Sequence, residues 1–443
     1  MCKISQRFNS AVDWCCRTGL DRRYFCTSAY AAANFFNPDY LRAIVRYSDR
    51  RCFDYCLGDC GKELASLGTT AAGKKIIISG YYGFDNSGDE AVLLSILLAL
   101  EEQGKANGIR LQPVVLSVDP EKTKRTYGVE AVHRMKLGQV ISAIRGADGL
   151  ISGGGSLLQD ATSAKTIPYY LAILKIAQWL GKPTFIYSQG IGPVQRRMFF
   201  GWIRNVFNRS RFISVRDQES KELLHRMKVT RDIAVVPDPV MGLPLGQTAV
   251  ASLSSHDKPK QVIGVSVRYW NSDRSELKAI ADALKLILGQ SDAEIRFLPF
   301  HLPSDTQASE EIIALMGNEY GDRITVADHL THPQQMLGEV SRCDLLIGMR
   351  LHSLIYAASQ EVPMLGISYD PKIDQFLNRL QMTAAASTQN IQAAAVAEEA
   401  LRLLNNRASW QAEKRATIEK LKSEAQRPAQ HIALFFAKGR DTK

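Results

Sequence analysis

From Lys75 onward the sequence alternates short apolar runs with longer amphipathic stretches, and this alternation leaves very few architectures open. The runs at 75–79, 114–118, 149–152, 184–188, 212–215 and 234–236 are nearly continuous in apolar residues. A strand that is apolar on both sides needs cover on both sides. That is the condition of a parallel sheet between two helical layers. Helical patterns at 89–103, 169–180, 196–208 and 218–227 supply the cover. The alternation breaks at 239–260, where Gly242, Pro244, Gly246 and a Ser-Ser-His-Asp-Lys-Pro stretch interrupt it. It resumes with strands predicted at 262–267, 294–298, 324–327, 345–348 and 364–367, and helices at 275–288, 306–316, 333–340, 351–359 and 372–379.

The expected fold is α/β, with two doubly wound, Rossmann-like domains facing a central cleft. The expected boundaries are an N-terminal domain over 74–240, a linker over 241–259, a C-terminal domain over 260–389 and a helical tail over 390–443. Residues 1–73 stand apart. They are rich in Cys, Arg and aromatics, show no βα alternation, and receive no role from the sequence.

Composition narrows the partners. The 443 residues are 45% hydrophobic and 23% charged, enough apolar material for more than one core. The net charge of +10 calls for an anionic partner: a phosphorylated substrate, an anionic membrane surface or nucleic acid. Without a zinc-finger spacing or an arginine-rich arm, nucleic acid is not expected. The longest apolar stretch, 91–100, is too short to span a bilayer. No apolar segment with a cleavage site marks the N-terminus, so a cytoplasmic location is expected. Seven of eight cysteines precede residue 61, and a cytosolic protein keeps them reduced. The spacing of Cys52, Cys56 and Cys60 would place them on one face of a helix, but structural zinc spacings are absent and no metal is expected.

Ligands in such folds sit beyond the carboxyl ends of the strands. The first strand leads into Gly80-Tyr81-Tyr82-Gly83-Phe84-Asp85-Asn86-Ser87-Gly88-Asp89-Glu90. Asp85 and Asn86 can hydrogen-bond sugar hydroxyls, and Asp85 can act as a base; equally, both can stabilise a turn. Gly153, Gly154 and Gly155 follow the third strand and precede Asp160. They read as an acceptor or phosphate cradle, or as close packing. Arg216 and Arg268 end strands where a guanidinium can meet a carboxylate or phosphate. Arg216 can instead pair with Asp217. His301 ends another strand. The densest signal is Gly348-Met349-Arg350-Leu351-His352-Ser353, which puts a permanent cation, a titratable imidazole and free N–H groups at one helix start. A His capping its own helix is the plainer alternative.

Together, the segments 80–90, 153–160, 189–193, 214–217, 348–353 and 366–372 resemble the polysaccharide pyruvyl transferases, over about residues 75–385. The resemblance implies a GT-B-like fold that uses phosphoenolpyruvate instead of a nucleotide sugar, with neither metal nor organic cofactor. It implies that Arg216, Arg350 and His352 serve the donor; the two anionic groups of the donor make Arg268 a candidate third cation. His352 is the expected acid, or the group that stabilises departing phosphate. Asp85, Asn86, Gly153, Gly154, Gly155 and Asp160 fall on the acceptor side, with Asp85 as base; His301 and Lys372, the latter from Tyr369-Asp370-Pro371-Lys372, are further candidates. The CsaB-type branch looks nearest. It implies a lipid-diphosphate-linked acceptor containing N-acetylmannosamine and a 4,6-pyruvate ketal used in secondary cell wall polymer for S-layer anchoring. A lipid-linked acceptor would give the positive charge a use at the cytoplasmic membrane surface. The rival readings are a GT-B glycosyltransferase using a nucleotide sugar and a non-catalytic sugar-phosphate binding protein.

Overall fold

A computed structural model describes residues 73–84, 86–160, 165–246, 260–330 and 332–438. The predicted extension before residue 73, its cysteines, and Asp85 lie outside the described residues.

The first lobe is an eight-stranded parallel sheet. Its strands are β1 (Lys74–Ser79), β2 (Leu111–Ser117), β3 (Glu130–His133), β4 (Gly149–Ser152), β5 (Gly155–Leu158), β6 (Thr184–Ile191), β7 (Phe212–Val215) and β8 (Ala234–Val235). They run in the order β3-β2-β1-β4-β6-β7-β8, with β5 joined to β6. Its helices are α1 (Ser87–Ala106), α2 (Pro120–Tyr127), α3 (Leu137–Arg145), α4 (Thr166–Trp179), α5 (Met198–Phe207) and α6 (Gln218–Arg226). Ile76, Ile77 and Ile78 of β1 are fully buried in succession, so both faces of the sheet are covered. Each such side chain contributes about 2 kcal/mol of apolar burial.

The second lobe has β9 (Val262–Ser266), β10 (Glu294–Phe297), β11 (Ile324–Val326), β12 (Leu345–Gly348), β13 (Met364–Ser368) and β14 (Ala386–Ser387). They are parallel, in the order β11-β10-β9-β12-β13-β14. The helices are α7 (Ser275–Gln290), α8 (Ser304–Met316), α9 (Pro333–Ser341), α10 (Leu351–Ser359), α11 (Pro371–Arg379), α12 (Ala393–Asn405) and α13 (Arg407–Ala437). Strand order reverses between β1 and β4 in the first lobe and between β9 and β12 in the second. These are the points where crevices open in doubly wound sheets.

The expected fold class is present. The elements absent from the sequence reading are β3, β5, β14, α2 and α3. They are short or polar: α2 buries only Thr123, and β3 begins on an exposed Glu130. The interruption after β8 opens with a buried turn. Pro239–Gly242 forms a 3₁₀ turn whose Val240 N–H donates to the Asp238 carboxylate at 3.1 Å. The tail also does more than extend the second lobe. α12 packs on α7, whereas α13 returns to the first lobe, packing on α1. There Phe435 and Phe436 lie 5.3 and 5.8 Å from the Phe185 ring. No helix among the described residues is long and apolar enough to cross a membrane.

Candidate functional site at the interlobe crevice

The two lobes touch through backbone. The Ser87 N–H at the start of α1 donates to the Phe300 carbonyl at 3.3 Å, and Asn86 forms an antiparallel bridge with His301. The contact joins the segment that follows β1 in the first lobe to the one that follows β10 in the second.

Arg216 follows β7, nearly buried, and is held by three groups. Nη2 donates to the Ser156 hydroxyl at 2.8 Å, Nη1 to Asp238 Oδ2 at 3.4 Å, and Nε lies 3.7 Å from Asp217 Oδ2. Gly190 leaves the room, because a Cβ there would stand 2.8 Å from Arg216 Nε. His352 crosses from the second lobe to the same carboxylate, with Nε2 3.8 Å from Asp238 Oδ2. Nε2 is buried and has no hydrogen-bond partner among the described residues. Burial depresses the His352 pKa; Arg216 and Arg350 press the same way, and Asp238 opposes them. His352 also lies against Gly88 of α1: a Cβ on that glycine would meet Nδ1 at 2.2 Å. Arg216 and His352, from different sheets, thus share Asp238.

Arg350 is more committed. Its guanidinium engages the fully buried Asp305 carboxylate through Nε and Nη2, the Nε bond being 2.9 Å. Asp305 also accepts the His301 N–H at 2.9 Å and the Phe300 N–H at 3.2 Å. Arg350 therefore braces the backbone that carries His301. Lys372, near the start of α11, has its pKa lowered by burial and then by Arg216, and lies 3.9 Å from Asp370. Arg268 donates to the Tyr369 hydroxyl at 3.1 Å and lies over the Trp270 and Tyr369 rings. It has no ion pair among the described residues. A cavity of about 30 Å³, room for about one water, is lined by Arg216, Asp217, Asp238, Lys372 and Arg379 among others.

The acceptor-side candidates divide. The three glycines are buried, and each has a packing partner within its own lobe. A Cβ on Gly153 would meet the Tyr82 hydroxyl at 2.2 Å, one on Gly154 the Val92 side chain at 2.8 Å, and one on Gly155 the Asp89 carboxylate at 2.9 Å. Gly155 also has a φ of +81°, which favours glycine. They place α1 against the sheet and do not form an open cradle. Asp160 is likewise withdrawn: it is buried, and its two oxygens accept the Gln195 and Arg196 N–H groups at 2.8 and 2.9 Å. Asn86 caps α1, its side-chain oxygen accepting the Gly88 N–H at 3.1 Å.

Four residues that sequence reasoning did not select help build the site. Asp89 sits in the first turn of α1; burial first, then Glu90 and Asp238, push its pKa up to about 7, against the pull of Arg216. Asp238 and Asp305 are the carboxylates just described. Arg134, at the end of β3, is buried without an ion pair among the described residues. It donates to the Gly80 carbonyl at 3.0 Å and is stacked between Phe84 and Tyr169, with Tyr81 stacked on Phe84 at 4.0 Å. Asp89 and Asp238 obey the strand-end rule, but one followed a more eye-catching loop and the other opened an apparent linker. Among the described residues no group of three His, Cys, Asp or Glu is arranged to hold a metal ion.

The family model for polysaccharide pyruvyl transferase matches residues 86–371, from the α1 cap to the start of α11. No curated protein matches the sequence. Among solved structures, the chain resembles a putative UDP-N-acetylglucosamine 2-epimerase from Listeria monocytogenes. The identity is 13% and the TM-score 0.58, over 84% of this chain and 98% of that one. The UDP-GlcNAc 2-epimerase from Neisseria meningitidis, bound to UDP-GlcNAc, gives 13% and 0.56 over 83% and 100%. A glycosyltransferase from Rickettsia africae gives 12% and 0.56 over 84% and 100%. At these identities the likeness is one of fold, the GT-B arrangement of two parallel-sheet lobes.

Proposed function

The chain belongs to the polysaccharide pyruvyl transferase family, and from that footing we propose that it moves the pyruvyl group of phosphoenolpyruvate onto a glycan precursor as a 4,6-ketal. The observation that carries this reading is the meeting of Arg216 and His352, from opposite lobes, at Asp238. Phosphoenolpyruvate is small and bears a carboxylate and a phosphate, so it needs cations from more than one direction. Arg216 and Arg350 act electrostatically on the imidazole, and Lys372 lines the cavity beside Arg216; Arg268 lies on the second lobe beside Tyr369. The cavity beside Arg216 is smaller than the donor, so on this reading the crevice widens to admit it.

The pKa directions suggest how protons move. At neutral pH His352, with a lowered pKa, is mostly neutral and suited to accept a proton. Asp89, near 7, is half protonated and suited to give one. This reverses the expectation from sequence, which made His352 the acid and Asp85 the base. In the first step Asp89 protonates C3, the acceptor hydroxyl oxygen bonds to C2, and His352 takes the hydroxyl proton. The C2–O bond to phosphate then breaks, phosphate leaving with the electron pair. A second hydroxyl closes the ketal, its proton leaving with the phosphate. Asp89 is thereby left to regain its proton from His352 or solvent. On the acceptor side, Tyr81 offers an exposed ring at the end of the Phe84–Arg134 stack, suited to the face of a sugar. A lipid-diphosphate-linked acceptor containing N-acetylmannosamine is the substrate we propose, as in polymer synthesis for surface-layer anchoring.

Mass spectrometry of a defined acceptor incubated with phosphoenolpyruvate tests the reading. A ketal adduct with equimolar phosphate release is expected, and H352A should release none. Turnover of a nucleotide sugar without phosphoenolpyruvate would instead favour an ordinary glycosyltransferase. Binding of the donor without turnover would favour a non-catalytic protein.

A further inference from the structure

From residue 161 to residue 211 the sequence carries eight Lys and Arg and not one Asp or Glu. The segment includes α4, β6 and α5. The two helices pack side by side. Their outward surfaces present Trp179, Met198 and Trp202, which are 73%, 61% and 49% exposed. These side chains lie along one surface. Lys175 lies over the Trp179 ring at 5.7 Å and donates to Asn205 on α5 at 2.7 Å. Asn205 is one turn from Trp202, and Trp202 one turn from Met198. Arg197, Arg204 and Arg209 are exposed around them. Beyond Trp179 the surface dips into a recess of about 570 Å³ whose lining, among the described residues, includes Lys182, Arg209, Arg211 and Arg231 and no carboxylate.

An ordinary soluble surface mixes charges of both signs and exposes few large aromatics in one place. A face that joins protruding indoles and a methionine to cations alone has the chemistry of a membrane interface. Indoles settle at the headgroup level, and Lys and Arg are drawn to anionic headgroups. Nucleic acid would use the cations, but Met198 and the indoles project from helix shafts and not from a groove that holds bases. We propose that the α4–α5 face seats the protein on an anionic phospholipid bilayer, with the recess taking a headgroup phosphate. The face runs from Arg197 and Met198, at the start of α5 after the carboxyl end of β6, to Trp179, at the end of α4 before the amino end of β6. Its residues are separate from those of the crevice, so this inference and the proposed reaction can fail independently.

Co-sedimentation of the full chain with phosphatidylcholine vesicles, with and without phosphatidylglycerol, tests it. Binding should require phosphatidylglycerol and weaken as salt rises. R204A/R209A should bind about 25-fold more weakly, from about fivefold per cation, and W179A/W202A about tenfold more weakly. K420E/R427E, which alters exposed cations on α13, should bind like the parent. Equal binding to both vesicle types, parental binding by the face variants, an equal loss in the α13 variant, or binding to a single-stranded oligonucleotide but not to vesicles each overturns the proposal.

Discussion

Asp89→Asn separates the stability of this site from its chemistry. In the folded chain the carboxyl pKa stands near 7, against an ordinary value of 3.8. The folded state therefore holds a proton between these values that the unfolded state has lost. The contribution of Asp89 to stability is therefore full below pH 3.8, falls as pH rises, and is lost above about 7. At 1.36 kcal/mol per unit, the two units from pH 5 to 7 amount to about 3 kcal/mol. Asparagine has nearly the same shape and no ionisation, so D89N lacks this slope. Urea unfolding of both proteins at pH 5 and pH 8 should show the parent losing about 3 kcal/mol more than the variant across the interval. The variant should meanwhile lose about 10²- to 10⁴-fold in kcat, the usual worth of a positioned acid. The parent's kcat should decline above about pH 7 as Asp89 ionises. Parallel pH dependences of stability would refute the elevated pKa; unchanged kcat in D89N would remove Asp89 from the proton path.

Gly88→Ala would place a methyl group 2.2 Å from His352 Nδ1, forcing the imidazole or α1 to shift; kcat should fall at least about 100-fold with little change in the circular dichroism spectrum. Asp305→Ala leaves Arg350 without its buried partner and frees two backbone N–H groups. A loss of about 3–5 kcal/mol is expected, read by denaturant unfolding, while the double variant D305A/R350M should recover part of it. Loss of donor binding in D305A at unchanged stability would contradict the bracing role given to the pair.

Much of the framework was legible because a parallel sheet buries its strands on both faces. The runs that became β1, β4, β7 and β12 are apolar without alternation, and their ends fall within a residue of expectation. β3 and α2 escaped because an edge strand and a solvated helix have no such requirement. Within the site, Arg216, Arg350 and His352 stood out by type and by position after strands. Their partners did not, since nothing in the local sequence of Asp238 or Asp305 reveals which distant cation each will face. The glycine triplet shows the converse: a strong local signal whose use, packing against Tyr82, Val92 and Asp89, depended on where α1 came to lie.

The sequence by itself determined the two-lobed α/β plan and the cations that border the crevice, because burial patterns and strand-end chemistry are written within a few consecutive residues. Only the tertiary structure decided that Arg216 and His352 share Asp238, that Arg350 is neutralised by Asp305, and that Asp89 is desolvated to a pKa near 7. Electrostatic environment is a property of distance and burial in three dimensions. Residues from opposite ends of the chain acquire it only when the lobes meet.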